Sequence, residues 1–279
     1  SPPAKPRVGR GQKGFAMKKL RLRDFGRAAE IKRIDYDTRL LALQYKLQLI
    51  QAAYITQGLR GIVAIEGWDA SGKGGLIQRM TAELDQRYSD VWSIGVPTKD
   101  ELNHHFLWRF WSKLPGKREI AVFDRTWYGR VLVERVDKLI PKPVWKRGYD
   151  EINDFEAMQI DDGVRIAKLF LHITPKEQDK RLRERLETPY KRWKTGPEDY
   201  HNRSLRDAYT DAYEDMFAQC STAHAPWTVI AADDKKTARL AGIEAVIAAL
   251  GEDVDLTYPP IDTELRALAE AALGVTLKL

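Results

Sequence analysis

Gly67-Trp68-Asp69-Ala70-Ser71-Gly72-Lys73 is a spacing that can hold phosphate. Gly67 and Gly72 permit backbone angles that point successive N–H groups inward. A helix beginning near Gly75 adds the positive end of its dipole, and Lys73 reaches terminal phosphates. Such a loop needs a strand before it and a helix after it, and the apolar run Ile62–Ile65 is the expected strand. In the usual motif the residue after the lysine is Ser or Thr, whose hydroxyl binds Mg2+. Here it is Gly74, so that ligand is missing. Asp69 can replace it, because Mg2+ prefers hard oxygen donors and takes one or two carboxylates beside phosphate oxygens. The alternative is that Asp69 only caps a turn.

A second set of chemical groups closes the apolar run Ile120–Phe123, which ends in Asp124. An aspartate at the carboxyl edge of a parallel strand lies where ligands of such sheets bind. Arg125, Arg130 and Arg135 follow it, and guanidinium forks suit bidentate recognition of phosphate. For Arg135 a surface salt bridge is the competing reading. Further on, eight basic residues stand against four acidic ones between Lys176 and Lys194, ending in Lys191-Arg192-Trp193-Lys194. That density is expected to grip a strongly anionic ligand. An aromatic within a basic run also fits single-stranded nucleic acid, so this segment alone does not discriminate.

These groups need a scaffold, and the pattern of short β-branched runs separated by helical stretches supplies one. Ile62–Ile65, Val91–Val96, Ile120–Phe123, Leu169–Ile173 and Trp227–Ala231 read as buried strands joined by helical crossovers. The expected fold is an α/β/α sandwich of the P-loop NTPase kind, with a parallel five-stranded sheet and a helical lid at about residues 175–200. Tyr36, Leu40, Leu43, Leu47, Ile50 and Tyr54 form one stripe of an amphipathic helix that Gly58 ends. The stripe packs on the core or on a second subunit. Thr174, Pro175 and Glu177 are a capping signal for a helix running to about Glu187. Its few apolar residues and many cations make that helix look loosely packed, as a lid would be.

The net charge of +6 invites a nucleic-acid reading until its distribution is counted. Residues 1–33 hold eleven Lys or Arg against Asp24 and Glu30, so the remainder is slightly negative. We therefore expect a basic N-terminal arm over 1–35 and a single phosphotransferase domain over 36–279. The single Cys220 forms no internal disulfide, and no run is long and apolar enough for a membrane span or a signal peptide. A cytoplasmic location is the resulting expectation.

Taken together, these motifs resemble the polyphosphate kinase 2 family, P-loop enzymes that transfer phosphoryl groups between inorganic polyphosphate and nucleotides. The carriers are Gly67 to Gly75, the run Phe123-Asp124-Arg125-Thr126-Trp127-Tyr128-Gly129-Arg130, and Lys191 to Lys194. Ala225-Pro226-Trp227 and Asp233-Asp234-Lys235-Lys236 look like later family segments. The family's loop has glycine at the position of Gly74, and its two metal-binding aspartates match Asp69 and Asp124. The resemblance implies catalytic roles for Asp69, Lys73, Asp124, Arg125 and Arg185. It implies phosphate binding by Gly67, Ala70, Ser71, Gly72, Lys73, Gly74, Gly75, Arg130, Arg135, Lys191, Arg192 and Lys194. It also implies Mg2+ or Mn2+, a homo-oligomer, and neither a membrane nor nucleic acid as partner. Gly129 and the Gly-Trp-Asp loop look closest to polyphosphate:AMP phosphotransferases, with ADP as a second acceptor. The rival expectations are an ATP-dependent nucleoside monophosphate kinase of thymidylate-kinase type and a P-loop nucleic-acid-binding regulator.

Overall fold

The computed structural model describes residues 20–26 and 30–277. In chain order, α1 (Arg33–Gln57), β1 (Arg60–Gly67) and α2 (Lys73–Thr81) precede β2 (Ser89–Ser93). The single-turn helices α3 (Lys99–Leu102) and α4 (Trp108–Trp111) then lead to β3 (Ile120–Asp124). Next come α5 (Val133–Val136), α6 (Lys142–Asp161), β4 (Val164–His172), α7 (Pro175–Glu187), α8 (Pro197–Ser204) and α9 (Arg206–Cys220). The chain continues with β5 (Trp227–Ala231), α10 (Lys235–Gly251) and α11 (Thr263–Leu273).

All strand pairings are parallel, in the order β2-β3-β1-β4-β5. The chain places β2 and β3 on one side of β1 and then β4 and β5 on the other, so the order reverses at β1. An open α/β sheet offers its ligand crevice at such a point, outside the carboxyl ends of the strands. The expected sandwich is present: α1, α2 and α10 cover one face, and α6 and α9 cover the other. Burial explains why β1 reads as a continuous apolar run, since every residue after Arg60 is buried.

The α1 stripe packs inward, with Leu47 and Ile50 buried and the Tyr54 hydroxyl donating to the Leu250 carbonyl at 2.9 Å. It therefore belongs to the core against α10. Gly58 closes the helix in the left-handed region, as expected. Three expectations need correction. The second strand ends at Ser93 rather than Val96, because it is an edge strand whose pairing stops opposite Asp124, and Gly95 and Pro97 do not extend it. The fourth begins at Val164 rather than Leu169, and its interior contains the buried Lys168. The third concerns α7, which is capped by Thr174 as expected but is not loosely packed. Gln178, Arg181 and Leu182 are all buried, so its inner face is polar and clamped rather than bare.

Of the expected arm, residues 1–19 and 27–29 lie outside the described residues. Leu22 is buried, its backbone N–H donating to Glu214 Oε1 at 3.0 Å, and α1 starts at Arg33. Among the described residues, no helix is long and apolar enough to cross a membrane.

Candidate active site

The loop between β1 and α2 is held by its own strain and by side chains from the far side of the chain. Gly67 has φ of 148°, and a Cβ there would stand 2.6 Å from the Leu171 carbonyl oxygen. Only glycine fits. Ala70, although not glycine, is left-handed with φ of 63°, a conformation that persists where surrounding contacts over-determine it. Those contacts come largely from α7. Arg181 donates through one nitrogen to the Ala70 and Ser71 carbonyls at 3.1 and 3.0 Å, and through the other to Ala232 and Asp233 at 2.7 Å each. Gln178 Nε2 donates to the Asp69 carbonyl at 3.1 Å. Peptide units whose carbonyls are held on one side present N–H groups to the other, which suits an anion.

Trp68 anchors the loop from below. Its Nε1 donates to His172 Nδ1 at 2.9 Å, and the Arg206 guanidinium lies 3.9 Å from its ring centroid. Burial first, then the Arg206 charge, pulls the His172 pKa down to about 4, so the ring is neutral and Nδ1 is free to accept. Lys73 Nζ donates to the Gly67 and Trp68 carbonyls at 2.8 and 3.3 Å, which keeps the ammonium against the loop.

Asp124 ends β3 directly opposite Ile65 of β1. The next residue, Arg125, is left-handed with φ of 66°. Its guanidinium lies 3.5 Å from Asp69 Oδ1, and Asn202 Nδ2 donates to Asp69 Oδ2 at 2.8 Å. The described bonds to the Asp69 carboxylate thus come from Arg125, just after β3, and from Asn202 of α8, not from the loop backbone, which removes support from the turn-cap reading. Burial works to lower the pKa of Arg125. The nearby charges of Asp69, Glu66 and Asp124 outweigh it, and the net shift is upward. Glu66 is buried beneath the loop, its pKa raised by desolvation against the Thr126 hydrogen bond and the charges of Lys73 and Arg125. Thr126 Oγ1 donates to Glu66 Oε1 at 2.7 Å and ties the two strand ends together.

Mg2+ or Mn2+ can be tested against this donor set. Among the described residues no cluster of three or more His, Cys, Asp or Glu could hold a metal. A site built on Asp69 and Asp124 therefore offers two protein carboxylates, with the remaining positions left to water and phosphate. That is the way Mg2+ is usually held at phosphate-transfer sites, so the residues fit.

The other expected cations divide into two groups. Arg185 bridges α7 to the segment that follows it: its NH1 donates to the Lys194 carbonyl at 2.9 Å and faces Asp199 Oδ1 at 3.6 Å. Lys191, Arg192 and Lys194 occupy a 3-10 turn at Pro189–Lys194, fastened to α7 by the Arg192 Nε bond to the Leu186 carbonyl. Arg130 and Arg135 each meet a carboxylate. Arg130 pairs with Glu134 at 2.7 Å and lies over Phe106, leaving a buried Nε without a partner. Arg135 pairs with Asp215 at 2.9 Å, donates to the Tyr149 hydroxyl and covers Trp145. For Arg135 the salt-bridge reading describes what is seen.

Several residues at this site escaped the sequence reading. Beneath the segment Thr126–Arg130 lies a buried network centred on Glu156. Its Oε1 accepts from Trp127 Nε1 at 3.0 Å and from the Tyr128 hydroxyl at 2.7 Å, and its Oε2 accepts from Lys168 Nζ at 2.7 Å. Lys168 also donates to the Tyr128 hydroxyl and the Cys220 carbonyl. Desolvation and the Glu156 charge push the Tyr128 pKa far up, and burial raises the Cys220 thiol to about 12. The available signal was Lys168 itself, a lysine inside an apolar run.

Asn202 was the other omission, since one asparagine in a polar helix has no spacing to mark it. Its contact with Asp69 makes it a positioning residue for the carboxylate. Asn202→Ala is expected to lower Mn2+ affinity, read by electron paramagnetic resonance, and turnover by about tenfold or more each. Unchanged Mn2+ affinity would leave Asn202 a packing residue only.

The comparisons with known proteins agree with this fold. The family model described as polyphosphate kinase 2 (PPK2) matches residues 30–255. A polyphosphate:AMP phosphotransferase of Pseudomonas aeruginosa is 43% identical over 197 residues, covering 71% of this chain and 39% of the relative. An AMP/ADP-polyphosphate phosphotransferase of Meiothermus ruber is 37% identical over 261 residues, covering 88% of this chain and 97% of the relative. The crystal structure of polyphosphate kinase 2 from Arthrobacter aurescens TC1 superposes with a TM-score of 0.80 at 32% identity, covering 96% of this chain and 95% of that one. The match spans only 39 to 43% of the length of the polyphosphate:AMP phosphotransferases of Pseudomonas and Acinetobacter.

Proposed function

The chain belongs to the polyphosphate kinase 2 family, and on that premise we propose that it transfers a phosphoryl group between inorganic polyphosphate and a nucleotide. AMP is the principal acceptor in this reading and ADP the second. The activities for which the Pseudomonas and Meiothermus relatives are named support that choice. The observation that carries the reading is the convergence of Lys73, Arg125 and the two carboxylates Asp69 and Asp124 at adjacent strand ends beside the phosphate loop.

The attacking atom is a phosphate oxygen of the acceptor, already anionic, so no residue need remove a proton from it. Catalysis then reduces to positioning and to offsetting repulsion between phosphates. The loop backbone and Lys73 hold a phosphate at the N-terminus of α2. Arg125, fixed by Asp69 and by its own left-handed backbone, presents charge at the end of β3. Arg185 joins α7 to the basic turn at Lys191–Lys194, which covers the anionic chain. Asp69 and Asp124 would hold Mg2+ or Mn2+, which when bound neutralises phosphate charge and lends rigidity to the phosphates. A cytoplasmic site of action and a homo-oligomer complete the reading and rest on the sequence expectations.

The test is a steady-state panel of AMP, ADP and other nucleotides with long-chain polyphosphate and Mg2+, repeated on the triple variant Lys191→Gln/Arg192→Gln/Lys194→Gln. The variant is expected to raise KM for polyphosphate by about tenfold or more and to leave KM for AMP within about twofold. Equal losses for both substrates would contradict polyphosphate binding by the basic turn.

A further inference from the structure

We infer that Ser71, Lys235 and Arg239 form a phosphate subsite beside the loop, which takes a phosphate unit of the polyphosphate chain away from its reacting end. The inference rests on the polyphosphate reading of the transfer site. Its starting point is Ser71, which is 2% exposed and whose Oγ is buried with no hydrogen-bond partner. Buried hydroxyls in folded proteins almost always find one, so an orphan inside a phosphate loop calls for a ligand. Ser71 lines a narrow recess with Gly72, Leu171, Lys235 and Arg239, large enough for little more than one oxygen-sized atom. A phosphate at the mouth of this recess can place one oxygen within it.

The two cations there are four residues apart on α10 and so share a face of that helix. Among the described residues neither makes an ion pair or a side-chain hydrogen bond that would neutralise it. Glu177 and Glu184 act on Lys235 only at a distance, while burial and then Arg181 and Lys191 work to lower its pKa. Arg239 lies directly against the start of α2, where a Cβ on Gly75 would come within 3.2 Å of its terminal nitrogen. The recess therefore gathers two cations with no direct carboxylate partner among the described residues, between the beginnings of two helices. An internal phosphate of polyphosphate carries free, charged oxygens suited to accept from Ser71 Oγ on one side and from Arg239 and Lys235 on the other. A nucleoside triphosphate donor would bring a neutral sugar and base past its phosphates, so this pair of cations favours a donor that stays anionic along its length.

The experiment measures Lys235→Gln/Arg239→Gln against the native protein, with Lys236→Gln as a control for loss of a neighbouring charge outside the recess. Tripolyphosphate and ADP are each titrated by calorimetry, and KM is measured for long-chain polyphosphate and for AMP. The double variant is expected to bind tripolyphosphate about tenfold or more weakly and to raise KM for polyphosphate in proportion, while its ADP affinity and KM for AMP stay within about twofold. A thermal melt verifies that it folds. Native tripolyphosphate affinity in the double variant, or a loss no greater than that of Lys236→Gln, overturns the subsite. A loss of ADP affinity matching that of tripolyphosphate overturns it too, by assigning the recess to the nucleotide. Failure of the native protein to use polyphosphate at all would defeat the proposed function instead, and the calorimetric arm would still decide the subsite.

Discussion

Asp69→Asn is expected to bind tripolyphosphate at close to native affinity and to transfer phosphate at about one hundredth of the native rate or less. Asparagine keeps the shape of the side chain and can still accept from Asn202, so the loop held by Arg181 and Gln178 should not move. What disappears is the negative charge that faces Arg125 and that would bind a divalent ion. Gly74 makes the test sharper, because a Cβ there would meet nothing within 4 Å. Asp69→Asn/Gly74→Ser places the ordinary hydroxyl ligand after Lys73 and is expected to recover part of the lost rate. Near-native turnover of Asp69→Asn with an unchanged Mg2+ dependence would make Asp69 dispensable and Asp124 the principal carboxylate.

Lys168→Met is expected to be the most destabilising single change on the other side of the sheet. The Lys168 side chain is 0% exposed and its partner carboxylate on Glu156 only 2% exposed. Removing the ammonium leaves a buried carboxylate with two neutral donors, Trp127 and the Tyr128 hydroxyl. Breaking such a pair from one end costs about 3–5 kcal/mol, which corresponds to a fall in Tm on the order of 10 °C for a chain of this size. Lys168→Met/Glu156→Gln removes the uncompensated charge and is expected to regain much of that loss. Because Trp127 and Tyr128 anchor the segment that carries Asp124 and the left-handed Arg125, turnover should fall in Lys168→Met below the temperature of its melt. A Tm within about 2 °C of native would show that the pair contributes nothing net.

The loop between β1 and α2 was legible as a strand-to-helix turn because its signal is local: two glycines, a lysine and the strand before them are neighbours in the chain. The same holds for Asp124, whose place at the end of β3 follows from the apolar run that precedes it. Thr174 and Gly58 announced their caps for the same reason. What was hidden depends on distant segments meeting. Asn202 reaches Asp69 across 133 residues, and Arg181 reaches Ala70 across 111. The charge of Arg181 was read as a sign of a loose lid, yet that guanidinium is the principal clamp on the loop. Its value lies in backbone carbonyls, and those carry no sequence signal. Lys168 was misplaced by a related error: a buried lysine looks like the boundary of an apolar strand unless its partners, Glu156 and Tyr128, are known. Arg130 and Arg135 also meet carboxylates, Glu134 and Asp215, that their place near the strand end did not announce.

The central claim is that phosphate passes directly from inorganic polyphosphate to a nucleotide at the site of Lys73, Asp69, Asp124 and Arg125. It is tested most directly by supplying the purified protein with AMP, Mg2+ and 32P-labelled long-chain polyphosphate, with no ATP present. The account predicts that label appears in the β-phosphate of ADP, at a rate that Asp69→Asn reduces steeply. The contradicting result is no labelled ADP from polyphosphate, together with ready conversion of AMP to ADP once ATP is added.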